Sequence, residues 1–113
     1  MGHLFGWAVG LTIVAAAASV SAQTDHVARG MKVFGEQKCS MCHSIAGKGN
    51  AKGVLDNVGA QMSAAEIREW LVDPDSMRKK ASAERKPPMK SFAKLSKEDL
   101  DALVAYLQTL NSK

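Results

Sequence analysis

The first twenty-two residues contain no Lys, Arg, Asp or Glu, so the formal net charge of +4 belongs entirely to residues 23–113. Cysteine is almost as scarce: there are two, at positions 39 and 42. A bridge between them would close a tiny loop and constrain little, which excludes a disulfide-stapled scaffold and asks for another use of the thiols. No stretch alternates apolar and polar residues as a half-buried strand would, and no internal repeat occurs, so sheet and repeat architectures are excluded. With 113 residues there is room for one small domain, but not for two cores or a large enzyme active site.

The charge-free N-terminus has its own logic. Leu4 to Ala18 is an apolar, Ala-rich run, followed by Ser19-Val20-Ser21-Ala22, whose small side chains suit a signal-peptidase site after Ala22. Residues 1–22 are therefore expected to be a secretory signal and residues 23–113 the functional domain. Only the α-amino group and His3 stand where such a signal carries Lys or Arg. The run is short against the roughly 20 apolar residues of a spanning helix. An uncleaved N-terminal membrane anchor is the alternative.

Beyond the signal, Asp25 to Lys38 carries Val27, Met31 and Phe34 at helical spacing with Gly30 on the same side, which predicts a first helix with Met31 on its buried face. From Ser44 to Gly59 the periodicity vanishes and Gly47, Gly49, Gly53 and Gly59 recur, as in a glycine-rich loop. Ser63-Ala64-Ala65-Glu66 has the form of a capping box; Ile67, Trp70 and Leu71 then mark one face of a short helix that Asp73-Pro74 should end. Residues 75–95 are polar and basic around Pro87-Pro88, and predict an irregular connection with one helical turn near Ser76 to Lys80. Its length hints at function. Ser96 starts a last helix whose stripe is Leu100, Leu103, Val104, Leu107 and Leu110. The expected fold is all-α: three or more helices with two long loops. A domain this small gains little from burial over the entropy cost of folding, and a flat apolar cofactor between the loops would supply the missing interior.

Cys39-Ser40-Met41-Cys42-His43 names that cofactor, because it fits the Cys-x-x-Cys-His pattern of c-type haem attachment. The two thiols add across the two haem vinyl groups, and the next residue, His43, offers its imidazole to the iron. A thioredoxin-like dithiol would require a strand–helix context that is lacking here. A zinc site would need four ligands, and only His43 and His26 accompany the cysteines in residues 23–113.

With these residues in place the chain resembles the class I c-type cytochromes over nearly the whole of residues 23–113. The matching features are Gly30 and Phe34 before Cys39, the Cys39 to His43 motif, Gly53 to Leu55, Trp70-Leu71 before Asp73-Pro74, Met89 after two prolines, and Tyr106 in the last helix. The resemblance implies that the first and last helices cross, through Gly30, Phe34 and Tyr106, and that loops clasp one haem c with an edge exposed. It also implies a methionine as second iron ligand. Of the six methionines, Met62, Met77 and Met89 are free for that role; Met89 is chosen and Met77 is next. Ligation by His43 and Met89 favours Fe(II) and fills both axial positions, which argues for electron transfer rather than catalysis. The resemblance also implies that Trp70 packs against the haem and donates its indole N–H to a propionate; the alternative is a core aromatic of the short helix. Many relatives carry Gly-Pro-x-Leu where this chain has Val54 in place of the proline, whose carbonyl accepts the imidazole N–H.

Arg78, Lys79, Lys80, Arg85, Lys86, Lys90, Lys94 and Lys97 put eight of the fifteen basic residues around Met89, opposed there only by Glu84. This predicts a docking face for redox partner proteins with acidic surfaces. The functional expectation is a periplasmic electron-transfer protein, not an enzyme, with no small-molecule substrate and no nucleic acid. The alternative is a cytochrome subunit of a periplasmic dehydrogenase complex.

Overall fold

The computed structural model describes residues 2, 6, 8–12 and 17–112. Of the apolar run 4–18, read above as part of an export signal, residues 4, 5, 7 and 13–16 lie outside the described residues. Among those described, no helix is long and apolar enough to cross a membrane.

Helix α1 is Ala17–Glu36. It starts eight residues before the expected Asp25, because the Ala- and Ser-rich stretch ahead of Asp25 contains nothing that stops a helix. Its packed part begins near His26 and Val27, and Gly30 and Val33 are buried. Met31 is not on that face: it is 55% exposed. Successive helical residues are turned by about 100°, so with Gly30 at the centre of the contact its neighbour is swung out of it.

The last helix, α5, is Lys97–Gln108, and the Ser96 side chain caps it by accepting from the Asp99 N–H at 3.1 Å. Leu100, Leu103, Val104 and Leu107 are buried as their spacing requires. α1 and α5 cross at Gly30. A Cβ there would collide with the Ala102 carbonyl and stand 2.6 Å from the Tyr106 Cβ, so only glycine allows this approach. Phe34 and Tyr106 close the crossing edge to face, with ring centroids 5.8 Å apart. Outside it, Arg29 bonds Asp99 at 2.7 Å and Glu98 at 3.2 Å.

Between these helices lie three shorter ones: α2 (Val58–Gln61), α3 (Ala64–Val72) and α4 (Pro74–Ala81). α3 has the expected capping box, with Ser63 and Glu66 each bonding the other's backbone N–H at 3.2 Å. α4 corrects the reading of residues 75–95 as irregular with a single helical turn. Asp73-Pro74 ends α3 and at once begins α4: Asp73 accepts from the Ser76 N–H at 3.3 Å, and Pro74 sits in the first turn. Asp75 near its start and Arg78, Lys79 and Lys80 near its end complement the helix dipole. The glycine-rich loop contains a short hairpin, β1 (Ser44–Ile45) paired with β2 (Lys48–Gly49), turned through Ala46 and Gly47 at φ 51° and 79°. The architecture is all-α around a core of Val33, Val58, Ile67, Leu71, Phe92 and the buried face of α5.

Candidate haem-binding site

At the end of α1, Lys38 takes a left-handed conformation (φ 56°) and turns the chain into a short 3-10 turn, Cys39–Met41. Cys39 is half-buried and Cys42 exposed, and neither is in a disulfide. Burial pushes the Cys39 thiol up to about 11, so in the unattached chain it keeps its proton at neutral pH. Asn50, which sequence reasoning missed, ties the turn together. Its N–H reaches the carbonyls of Ser40 (3.1 Å) and His43 (3.0 Å), its amide donates to the Met41 carbonyl at 3.1 Å, and its Oδ1 accepts from the Lys52 N–H at 3.0 Å. An asparagine among glycines is a known turn former, and that was the available signal.

His43 is held by its ring. Nδ1 lies 3.1 Å from the Gly53 carbonyl and donates to it, which leaves the Nε2 lone pair free. The acceptor is thus the residue before Val54, and Val54 itself is 60% exposed. Val54 nevertheless adopts φ −67°, the value a proline would impose. Gly53 is also sterically required, since a Cβ there would collide with the Cys42 carbonyl and stand 2.9 Å from His43 Nδ1. Burial lowers the His43 pKa; the Gly53 hydrogen bond opposes the shift and the nearby Arg85 cation adds to it. The imidazole is kept neutral, the form that ligates a metal.

The ring borders a cleft of about 260 Å³ whose wall is mostly apolar: Leu55, Val58, Ile67, Leu71 and Leu107. Cys42, His43, Trp70 and Met89 all stand on this wall. Cys39 lies in the preceding turn and is not part of it. Met62 also lines the cleft, whereas Met77, placed second in the sequence reading, is only 9% exposed and lies outside the wall. The segment carrying Met89 is fastened just beyond it. Ser91 Oγ donates to the Val72 carbonyl at 2.7 Å, the Phe92 N–H donates to the Leu71 carbonyl at 2.7 Å, and Phe92 is buried. Neither residue was singled out from sequence, because their partners are the last carbonyls of α3, nineteen to twenty-one residues away.

This donor set fits a haem. Two thiols stand at the end of a helix, a neutral imidazole and two thioethers border an apolar cleft, and a guanidinium at its edge, Arg78, has a buried Nη1 without an acceptor among the described residues. Cys39 and Cys42 could hold the porphyrin covalently, and His43 Nε2 could ligate its iron. Among the described residues no three His, Cys, Asp or Glu side chains converge to hold a metal ion by themselves.

A family model described as cytochrome c matches residues 27–111. Among known proteins, the chain is similar to a cytochrome c oxidase subunit 2 from Alkalihalophilus pseudofirmus, at 31% identity over 103 residues that cover 82% of this chain and 28% of that protein. The chain therefore spans less than a third of that relative's length. No solved structure matches it.

Proposed function

Because the chain belongs to the cytochrome c family, and within it to the class I c-type cytochromes that transfer electrons on covalently bound haem c, we propose that it is a periplasmic carrier of single electrons, with one haem ligated by His43 and Met89. The observation that carries this reading is the cleft wall, where an oriented neutral imidazole and a fastened thioether border one apolar cavity beside the attachment cysteines. In this reading residues 1–22 direct residues 23–113 to the periplasm.

When bound, the haem supplies the Fe(III)/Fe(II) couple. The chain's own residues do the rest. Cys39 and Cys42 would hold the cofactor covalently, each thiol adding across one vinyl group, so that it stays bound in both oxidation states. The Gly53 carbonyl fixes the plane and tautomer of His43, and a neutral, weakly donating Met89 sulfur favours the reduced state. His43 and Met89 would both be held on the iron, and a cofactor so held would leave no place there for a substrate, which favours a carrier over an enzyme. Trp70 packs against the cofactor in this arrangement, and Leu55, Val58 and Leu107 exclude water from it.

The purified protein should contain one haem per chain by pyridine haemochrome and titrate as a single one-electron couple. Met89→Ala should abolish the sulfur-to-iron charge-transfer band of the oxidised form and open the iron to added ligands. Loss of that band in Met62→Ala, with Met89→Ala unchanged, would mean the ligand is misassigned.

Charge supports a partner of opposite sign. Lys79, Lys86, Lys90 and Lys94 are exposed and form no ion pair among the described residues, whereas Lys80 is paired with Glu69 and Lys97 with Asp101. Lys86→Glu with Lys90→Glu should slow electron transfer to an acidic partner by about tenfold or more at low salt and leave the reduction potential nearly unmoved. Stopped-flow rates that stay flat across a salt series would remove the docking role. A rate independent of partner concentration as well would point to a subunit held in a dehydrogenase complex.

A further inference from the structure

The turn from Cys39 to His43 is backed by residues 49–53, none of which lines the cleft. The approach is close: a Cβ on Gly49, which has φ 110°, would collide with the His43 carbonyl and stand 3.1 Å from the Ser40 carbonyl oxygen. The Asn50 N–H is shared between the Ser40 and His43 carbonyls, at 3.1 Å and 3.0 Å. Those bonds belong to the backbone. Asn50 itself is extended, with φ −86° and ψ 113°, so neither its conformation nor its N–H explains the choice of side chain.

The carboxamide does. Its Nδ2 donates at 3.1 Å to the Met41 carbonyl, on the peptide that leads into Cys42, and its Oδ1 accepts from the Lys52 N–H at 3.0 Å. Lys52 lies in the 3-10 turn Ala51–Gly53, which the Gly53 N–H closes on the Asn50 carbonyl at 3.1 Å. The last carbonyl of that turn, Gly53, is the one that accepts from His43 Nδ1. Just beyond it the Leu55 N–H donates to the Ser44 carbonyl at 2.9 Å, so the imidazole acceptor is held from both sides. One side chain thus ties the cysteine turn to the turn that holds the imidazole, with the donor end and the acceptor end that a carboxamide provides.

Resting on the reading that His43 ligates the haem iron, we infer that Asn50 is a positioning residue for that ligand: by tying the peptide ahead of Cys42 to the turn that ends at Gly53, its carboxamide sets the hydrogen bond from His43 Nδ1–H and with it the donor strength of Nε2. Donation from Nδ1–H leaves negative charge on the ring and makes Nε2 the stronger ligand, which favours Fe(III). Slackening that bond raises the reduction potential.

The test compares the wild-type holoprotein with Asn50→Ser and Asn50→Ala in thermal unfolding, in reduction potential, and in the exchange of His43 Hδ1 with solvent, followed by NMR in the reduced form. Serine caps a helical turn as asparagine does, but its hydroxyl is too short to reach the Met41 carbonyl as well. Asn50→Ser should therefore unfold near the wild-type temperature, with a higher potential and with Hδ1 exchange about three- to tenfold faster, the change in opening that one lost hydrogen bond permits. Asn50→Ala should move exchange and potential further in the same direction, and the serine variant alone decides the matter if the alanine variant does not fold. Exchange and potential in Asn50→Ser that superimpose on wild type would overturn the inference, because capping would then be all that Asn50 supplies. A wild-type holoprotein whose His43 ring protons lack the upfield shift of a ligand held over the porphyrin would instead overturn the reading of His43 on which the inference rests.

Discussion

At the α1–α5 crossing the polypeptide fills its own space. Gly30 admits the Ala102 carbonyl and Tyr106, and Ala102 and Leu103 have no exposed surface. One turn further along α5, Leu107 borders the cleft together with Leu55, Val58 and Ile67, and there no protein atom completes the packing. The same helix thus serves two interiors, one closed by side chains and one left open as an apolar cleft. The difference shows how a domain this small divides its labour. The terminal helices pack directly on each other, and the family's covalently bound haem c would fill the interior that the cleft leaves open.

That contrast can be broken from either side. The largest effect is expected from Cys39→Ala with Cys42→Ala, which should abolish covalent haem and leave most of the chain without a cooperative thermal transition. An apo-domain that still unfolds cooperatively would show that the frame needs no guest. A smaller effect is expected from Gly30→Val, which drives a branched side chain into the Ala102 carbonyl and Tyr106 and should cost about 1–3 kcal/mol in denaturant unfolding. The visible spectrum should be unchanged. A spectral change as large as the stability change would mean that the crossing and the cleft are one unit.

The smallest effect concerns the pin between α3 and α5, where Asp101 bonds Lys97 at 2.7 Å and also pairs with Arg68. The Lys97 and Arg68 hydrogen bonds hold the Asp101 carboxyl below its ordinary 3.8. A carboxyl lowered on folding contributes stability that is full above its unfolded value and is lost as pH falls through the folded one. Acid unfolding curves should therefore show Asp101→Asn less stable than wild type at neutral pH, with the two converging only as the pH falls through the lowered Asp101 value. Curves that stay parallel to the lowest pH would rule out this contribution.

What was legible depended on range. The capping box at Ser63 and Glu66, the Ser96 cap and the α5 stripe lie within a few residues, and each appears where the sequence put it. Asp73-Pro74 was read only as a stop, although the same pair is a start, because the basic residues after it hide α4 from any search for an apolar face. Met31 was misplaced because its spacing from Val27 and Phe34 is helical, and only the crossing partner decides which edge of that arc is covered. The imidazole acceptor was off by one residue for a related reason: whether the Gly53 or the Val54 carbonyl meets the ring depends on how the loop returns past Ser44.

The sequence alone determined the helical class, the starts of α3 and α5 and the attachment motif, because capping, periodicity and Cys-x-x-Cys-His spacing are local and carry their chemistry with them. Tertiary structure decided which side chains meet across the chain. It brought Gly53 to His43 and Leu71 to Phe92, it put Arg78 on the wall of the cleft, and it put Met62 rather than Met77 on that wall with Met89. Those meetings are set by how the frame folds the loops back on themselves, and no local pattern encodes that return.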